Sequence, residues 1–359
     1  MSAKTPSRLP IALTVSVGVL VVLMLAHVVA AGQTAAHGPQ TPVAKSRTTP
    51  RMPDGHPDLS GVWTDRTATP LERDPALGTR EFFTDAEFAD LSARQRRGED
   101  LRAPRGGNAA GAGAGNPVYD NTVYGDVRSG DPLAKTKRTS LIIGPEGRVP
   151  PMLPEAVKRN ADRAAAIKGH EFDSYEYRNL EERCIVAFPA MSPPMIPNRN
   201  DNTHFQTIQG PGYFVIYQEE LHDTRVIPTD GRPHIAQNLR SFQGDSVGHW
   251  EGDTLVIDTT NFRADRADPG RVLFRGTSDR LHTIERLTRT SPDTIIYQFT
   301  VDDPGTWAKP WTAEFPWNET TGPYEQQLYE YACHEGNHAI LGLLGGARAQ
   351  EAEVAKTKK

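Results

Sequence analysis

Residues 253–262, DTLVIDTTNF, followed by LHTIERLTR at 281–289 and DTIIYQFTVDD at 293–303, decide the fold. Each is a short run enriched in β-branched and aromatic residues and bounded by Gly, Asp, Pro or Asn, the pattern of a strand between turns. Working outward, it recurs in HFQTIQG (204–210), GYFVIYQEEL (212–221), TRVIPTDGRP (224–233) and WAKPWTAEF (307–315). No helical pattern separates these runs, which argues against a parallel αβ fold. The expectation is a mainly β protein: an antiparallel β-barrel or β-sandwich with a few peripheral helices. TLVIDTT and TIIYQFT, each preceded by Asp, suggest strands paired with one another.

Upstream the composition changes. Residues 1–31 place Lys4 and Arg8 before the apolar run IALTVSVGVLVVLMLA and end in small residues, which reads as an export signal cleaved after Ala31. The alternative is an uncleaved anchor, because residues 11–31 approach the length that spans a bilayer. Either way the folded part is expected in the periplasm or outside the cell, and any membrane association would run through this segment. Residues 32–55, rich in Pro, Thr, Gly and Ala, read as a flexible linker. Residues 56–348 read as one β-rich domain with helical and Gly/Ala-loop insertions at 84–116 and 153–167, and 349–359 as a frayed tail. In the first insertion Thr84 and Glu87 have the spacing of a reciprocal capping box. In the tail, Gly345 and Gly346 are expected to interrupt a short helix around Ile340 to Leu344.

Charge excludes one class of partner. The formal net charge is −5, becoming −7 once Lys4 and Arg8 leave with the signal, and no dense Lys/Arg cluster offsets it. Nucleic acid is therefore not an expected partner. The two cysteines, Cys184 and Cys333, are expected to pair as a long-range disulfide in an oxidising compartment, with a catalytic thiol as the alternative.

The richest stretch chemically is QGDSVGHWEGDTLVIDTTNF, 243–262. On an extended segment His249 and Glu251 share a face, because side chains recur with period two, and imidazole beside carboxylate suits general acid/base work. Asp245 joins them as a catalytic candidate; the bland alternative is a hairpin with His249 in solvent and Trp250 in the core. In LHTIERLTR an extended chain puts Leu281, Thr283, Glu285 and Leu287 on one face and His282, Ile284 and Arg286 on the other. Both faces mix charge with aliphatics, so one of them is a candidate lining for a polar cavity. Asp258, flanked by Val256 and Thr260 on its face, needs a partner that Arg286 or Arg289 could supply. Arg199, His204, His282, Trp250, Trp307 and Trp311 are candidate substrate contacts, the tryptophans as a platform for a sugar or apolar ring, with core packing as the alternative. The expected partner is thus a small molecule or carbohydrate, handled without an organic cofactor: no phosphate-binding loop, dinucleotide fingerprint or G-x-S-x-G elbow is present. The readings in order are a His/carboxylate acid–base enzyme, a noncatalytic binding protein, and a zinc-dependent hydrolase.

The strings SVGHWEGDTLVIDTTNF, LHTIERLTR and YEYACHEGN together resemble a widespread family of exported bacterial proteins of uncharacterised activity, over about residues 59–348. The resemblance implies export but carries no activity with it. The zinc reading rests on His334-Glu335-Gly336-Asn337-His338, a formal H-E-x-x-H, in which His334 and His338 would be ligands and His334 also a catalytic candidate. Gly336 and Asn337 are poor helix residues at the centre of the required turn. In the resembling family the position of His338 is frequently aromatic.

Overall fold

The computed structural model describes residues 49–96, 136–186, 193–197, 204–264, 277–320 and 327–357, all within the unit Ser46–Lys359. The expected export segment, most of the expected linker, the Gly/Ala stretch and Arg199 lie outside these residues.

Nine strands form one sheet: β1 (Gly61–Thr64), β2 (His204–Gly210), β3 (Tyr213–Gln218), β4 (Thr224–Pro228), β5 (Asp245–Glu251), β6 (Thr254–Thr260), β7 (His282–Ser291), β8 (Thr294–Asp302) and β9 (Trp311–Glu319). Their order is β4-β3-β2-β1-β9-β8-β7-β6-β5, and every hydrogen-bonded neighbour is antiparallel. With an odd number of alternating strands, the two end strands must run in the same direction. The connection 229–244 therefore returns along the whole strand length before β5 begins. The ends come together without a ladder: a Cβ on Gly248 of β5 would sit 3.0 Å from Thr229 Cγ2 and 3.3 Å from Ile227 Cγ2, so glycine is what lets the seam approach. The result is a near-closed antiparallel barrel with a few short helices around it.

Alternation sorts each strand into an inner and an outer face. Leu255 and Ile257 of β6, Glu285 and Leu287 of β7, and Ile295, Tyr297, Phe299 and Val301 of β8 are all inward and fully buried. The indole of Trp317 stacks on Tyr297 at 4.7 Å and meets the edge of Phe205, also at 4.7 Å. Aromatic area of this kind is the main apolar contribution to the core. The paired-strand reading of TLVIDTT and TIIYQFT is corrected: β7 lies between β6 and β8 and pairs with both.

Helix α1 (Asp85–Arg96) starts on the capping box, Thr84 N–H donating to Glu87 Oε2 at 2.8 Å and Glu87 N–H to Thr84 Oγ1 at 3.3 Å. Helix α2 (Pro154–Ile167) starts with its proline in the first turn, where no N–H is needed. The cysteines form the disulfide Cys184–Cys333, with Cα atoms 5.9 Å apart across 149 residues. It fixes α3 (Cys333–Gly336), after which α4 (Ala339–Thr357) runs with no buried residue. The expected frayed tail is thus helical, and Gly345 and Gly346 lie inside it; flanking Ala, Leu, Arg, Gln and Glu supply enough helix propensity to carry the chain through both. Two tethers also reach into the expected linker: Arg51 bridges to Pro57 and pairs with Asp253 at 2.6 Å. Among the described residues no helix is long and apolar enough to cross a membrane.

Candidate functional site

Two ionisable networks lie on opposite faces of the barrel wall and share strands β5 and β7. On the inner face Arg225 of β4 reaches over the seam to Glu285 of β7 in a forked pair, Nη1 to Oε1 at 3.0 Å and Nη2 to Oε2 at 2.6 Å. Tyr297 donates to Glu285 Oε1 at 2.5 Å and accepts from Met195 N–H at 2.9 Å, while Arg225 Nη2 also donates to Ser246 Oγ at 3.3 Å. Burial works against the Arg225 charge, but Glu285 outweighs it and holds the guanidinium above its ordinary value. Burial and then the Glu285 charge raise the Tyr297 phenol well above its ordinary value. The pair has side-chain exposures of 2% and 0%, which keeps it from exchanging protons with solvent or substrate; its geometry ties β4 to β7 and, through Ser246, to β5.

On the outer face a chain of alternating carboxylates and imidazoles runs across β5, β6 and β7. Asp245 Oδ2 lies 2.7 Å from His234 Nδ1, His234 Nε2 lies 3.1 Å from Asp258 Oδ1, and both oxygens of Asp258 lie 3.0 Å from His282 Nε2. Register explains the meeting: Asp258 stands opposite Ile284, one outward position from His282, and Asp245 stands opposite Thr260, one outward position from Asp258. The long connection imposed by parallel closure delivers His234. It is pinned there because Ile235 N–H donates to Asp245 at 3.1 Å and Asn261 Nδ2 donates to Ile235 O at 3.1 Å. Asp258 therefore finds imidazoles, correcting the expectation of Arg286 or Arg289. Arg286 pairs with Glu251 at 2.6 Å, and Arg289 binds Asp58 O and lies over the ring of Trp63.

The bond to Asp258 raises the pKa of His282 against the opposing effect of partial burial. Burial pushes Asp258 upward, but the bonds from His282 and then His234 outweigh it, and its carboxyl stays below the usual value. Side-chain exposures of 27% for His234 and 34% for both Asp258 and His282 leave the chain open to solvent. His282 ends the chain at the start of β7. Its Nε2 is held by carboxylate, and among the described residues its Nδ1 has no hydrogen-bond partner. A carboxylate-oriented imidazole with its second nitrogen open can take or give a proton.

A separate cavity of about 160 Å³ lies at the opposite mouth of the barrel, lined among others by Asp54, His56, Gln209, Tyr213, Phe214 and Trp250. Trp250 and Asp245 are five residues apart on β5, about 17 Å at the usual rise per residue, and point to opposite faces. The cavity and the His/Asp chain are therefore distinct places.

The other expected residues divide as follows. His249 and Glu251 do share the outer face, 3.3 Å apart, but stand in the open at 58% and 49% exposure. Glu285 and Asp245 belong to the two separate networks. His204 is buried, and burial, with the nearby positive Arg66, lowers its pKa to about 4. The tryptophan platform is corrected to core: Trp307 and Trp311 are each 5% exposed and meet edge to face at 5.8 Å. The zincin reading is corrected too. Helix α3 stops at Gly336 and α4 begins at Ala339, so His334 and His338 do not share one helical turn, and both are exposed. No group of three or more His, Cys, Asp or Glu able to hold a metal ion occurs among the described residues.

Sequence reasoning missed His234, Arg225, Tyr297 and His56. The signal for His234 was present in the length of the loop 229–244, since long loops without secondary structure are uncommon and often functional. Fold and site together define a near-closed antiparallel barrel carrying a half-buried His/Asp chain on its wall. Comparison with protein-family models, with curated proteins and with solved structures gives no match to this chain.

Proposed function

We propose that the protein is an exported enzyme that performs acid–base chemistry on an organic small molecule or carbohydrate, with His282 as the proton-transferring group. Asp258 orients His282 and stabilises its protonated form, and His234 with Asp245 fixes Asp258. The observation that carries this reading is the Asp258–His282 pair at 3.0 Å with Nδ1 of His282 open. Substrate would approach from the outer wall at the β7 start. The Cys184–Cys333 disulfide supports the exported setting, because such bonds persist in oxidising compartments.

The test is turnover on a panel of nitrophenyl esters, glycosides and activated carbon acids by wild type, His282→Gln and Asp258→Asn. Expected is a loss of about 100-fold or more in His282→Gln, with its melting temperature unchanged within a few degrees. Equal rates in wild type and His282→Gln on every substrate turned over would sink the reading. A second reading, a noncatalytic binding protein, is favoured by one observation: the cavity lies at the mouth remote from the His/Asp chain. Failure of the wild type across the panel would move the assignment there.

A further inference from the structure

The remote mouth has features that the acid–base reading does not use. The turn Gly210-Pro211-Gly212 between β2 and β3 needs both glycines: Gly212 has φ +79°, and a Cβ on Gly210 would come within 2.7 Å of the ring of Tyr213. Tyr213 is thereby folded back across the turn, and its ring becomes a wall of the cavity together with Phe214 and Trp250. The fourth wall is the segment 51–57, which crosses the mouth as a turn closed by the Arg51–Pro57 bridge. Two contacts hold that turn down: the His56 ring lies flat on Trp250 at 4.4 Å and 7°, and Arg51 forms its exposed pair with Asp253. Of these, the exposed ion pair contributes little, and the ring stack with the buried Pro57 does most to seat the turn.

The lining is selective in charge. It includes the carboxylate of Asp54 and neither lysine nor arginine; the one other titratable side chain that could carry positive charge there is His56, whose ring covers one face of Trp250 and leaves the other face and Tyr213 toward the cavity. Asp54 Oδ1 accepts from His56 N–H at 3.1 Å, and among the described residues no bond occupies Oδ2. Arg51, the nearest guanidinium along the chain, is committed through both Nη atoms to Asp253. Aromatic rings beside one carboxylate are the combination that recognises organic cations, through attraction to the ring quadrupole and to the negative charge. The volume, about 160 Å³, accommodates a compact ion.

We propose that the cavity beneath the 51–57 turn is a binding site for a small organic ammonium ion, walled by Tyr213, Phe214 and Trp250 and neutralised by Asp54. The site is independent of His282. The experiment is isothermal titration of the purified full chain with choline and with 3,3-dimethylbutan-1-ol, which has the same shape without the charge. Choline is expected to bind at least about tenfold more tightly than the alcohol, a difference of about 1.4 kcal/mol. Asp54→Asn should weaken choline about tenfold and leave the alcohol unaffected, and Trp250→Leu should remove both. Asp54 is exposed, so the asparagine variant keeps the test meaningful even where loss of Trp250 perturbs folding. His282→Gln should bind choline as wild type does. Absence of choline binding, equal affinity for the alcohol, or an Asp54→Asn variant that binds choline unchanged would each overturn the proposal.

Discussion

The inner and outer faces of the barrel wall carry networks built from the same kinds of bond with opposite consequences, one joining β4, β5, β7 and β8 and the other crossing β5, β6 and β7. Inside, Arg225, Glu285 and Tyr297 are at 0–3% exposure, and the Arg225 guanidinium and Tyr297 phenol hold their protons more tightly than usual. Outside, Asp258 and His282 keep about a third of their surface in water, and their protons stay exchangeable. The lesson is that strength of pairing and capacity for chemistry part company: the most deeply buried charge pair in the barrel is the one least able to act.

The sharpest way to break this contrast is to remove half of the inner pair. Glu285→Ala leaves a buried guanidinium without its carboxylate and should cost about 3–5 kcal/mol in urea unfolding. The double variant Arg225→Met/Glu285→Leu should regain most of that loss. If Glu285→Ala unfolds like wild type, the inner network is not structural.

His204 gives the next largest effect, and its sign follows from linkage. Its folded pKa, about 4, lies below the ordinary 6.5, so between these values the unfolded chain binds the extra proton. Stability is full above pH 6.5 and falls as pH drops toward 4, by about 3 kcal/mol in total. His204→Gln should flatten that slope in unfolding measured at successive pH values.

Tyr297→Phe removes one donor to Glu285 and leaves Met195 N–H unpaired, for an expected loss of about 1–3 kcal/mol. The outer network should respond least in stability and most in pH dependence. Because His282 is raised by Asp258, its stabilising contribution is complete below the ordinary histidine pKa and disappears as pH rises through the raised value. Asp258→Asn should change stability by about 1 kcal/mol or less. It should also move to lower pH the limb of the activity profile that His282 sets, the acid limb where it acts as base and the basic limb where it acts as acid; if neither limb moves, His282 is not the titrating group.

Much of the barrel was legible because its information is local. The runs at 204–210, 254–260, 282–291 and 294–302 announce themselves by β-branched composition and turn residues, and the two faces of LHTIERLTR follow from period two alone. The short β1 carries little pattern, and β5 with its two internal-facing small residues, Ser246 and Gly248, reads more like a turn than a strand. The site was half legible. His282 and Asp258 stood out as ionisable groups on strands, but His234 reaches them from a loop with no period.

The sequence by itself determined the strand composition, the separation of Glu285 and His282 onto opposite faces of one strand, and the cysteines available for bonding, because each depends only on residue type and spacing along one segment. Tertiary structure decided the partners. Whether Glu285 meets Arg225 and Asp258 meets His234 depends on strand order, register and the parallel closure of an odd-numbered sheet, and those are set by the packing of the whole core rather than by any one run of residues.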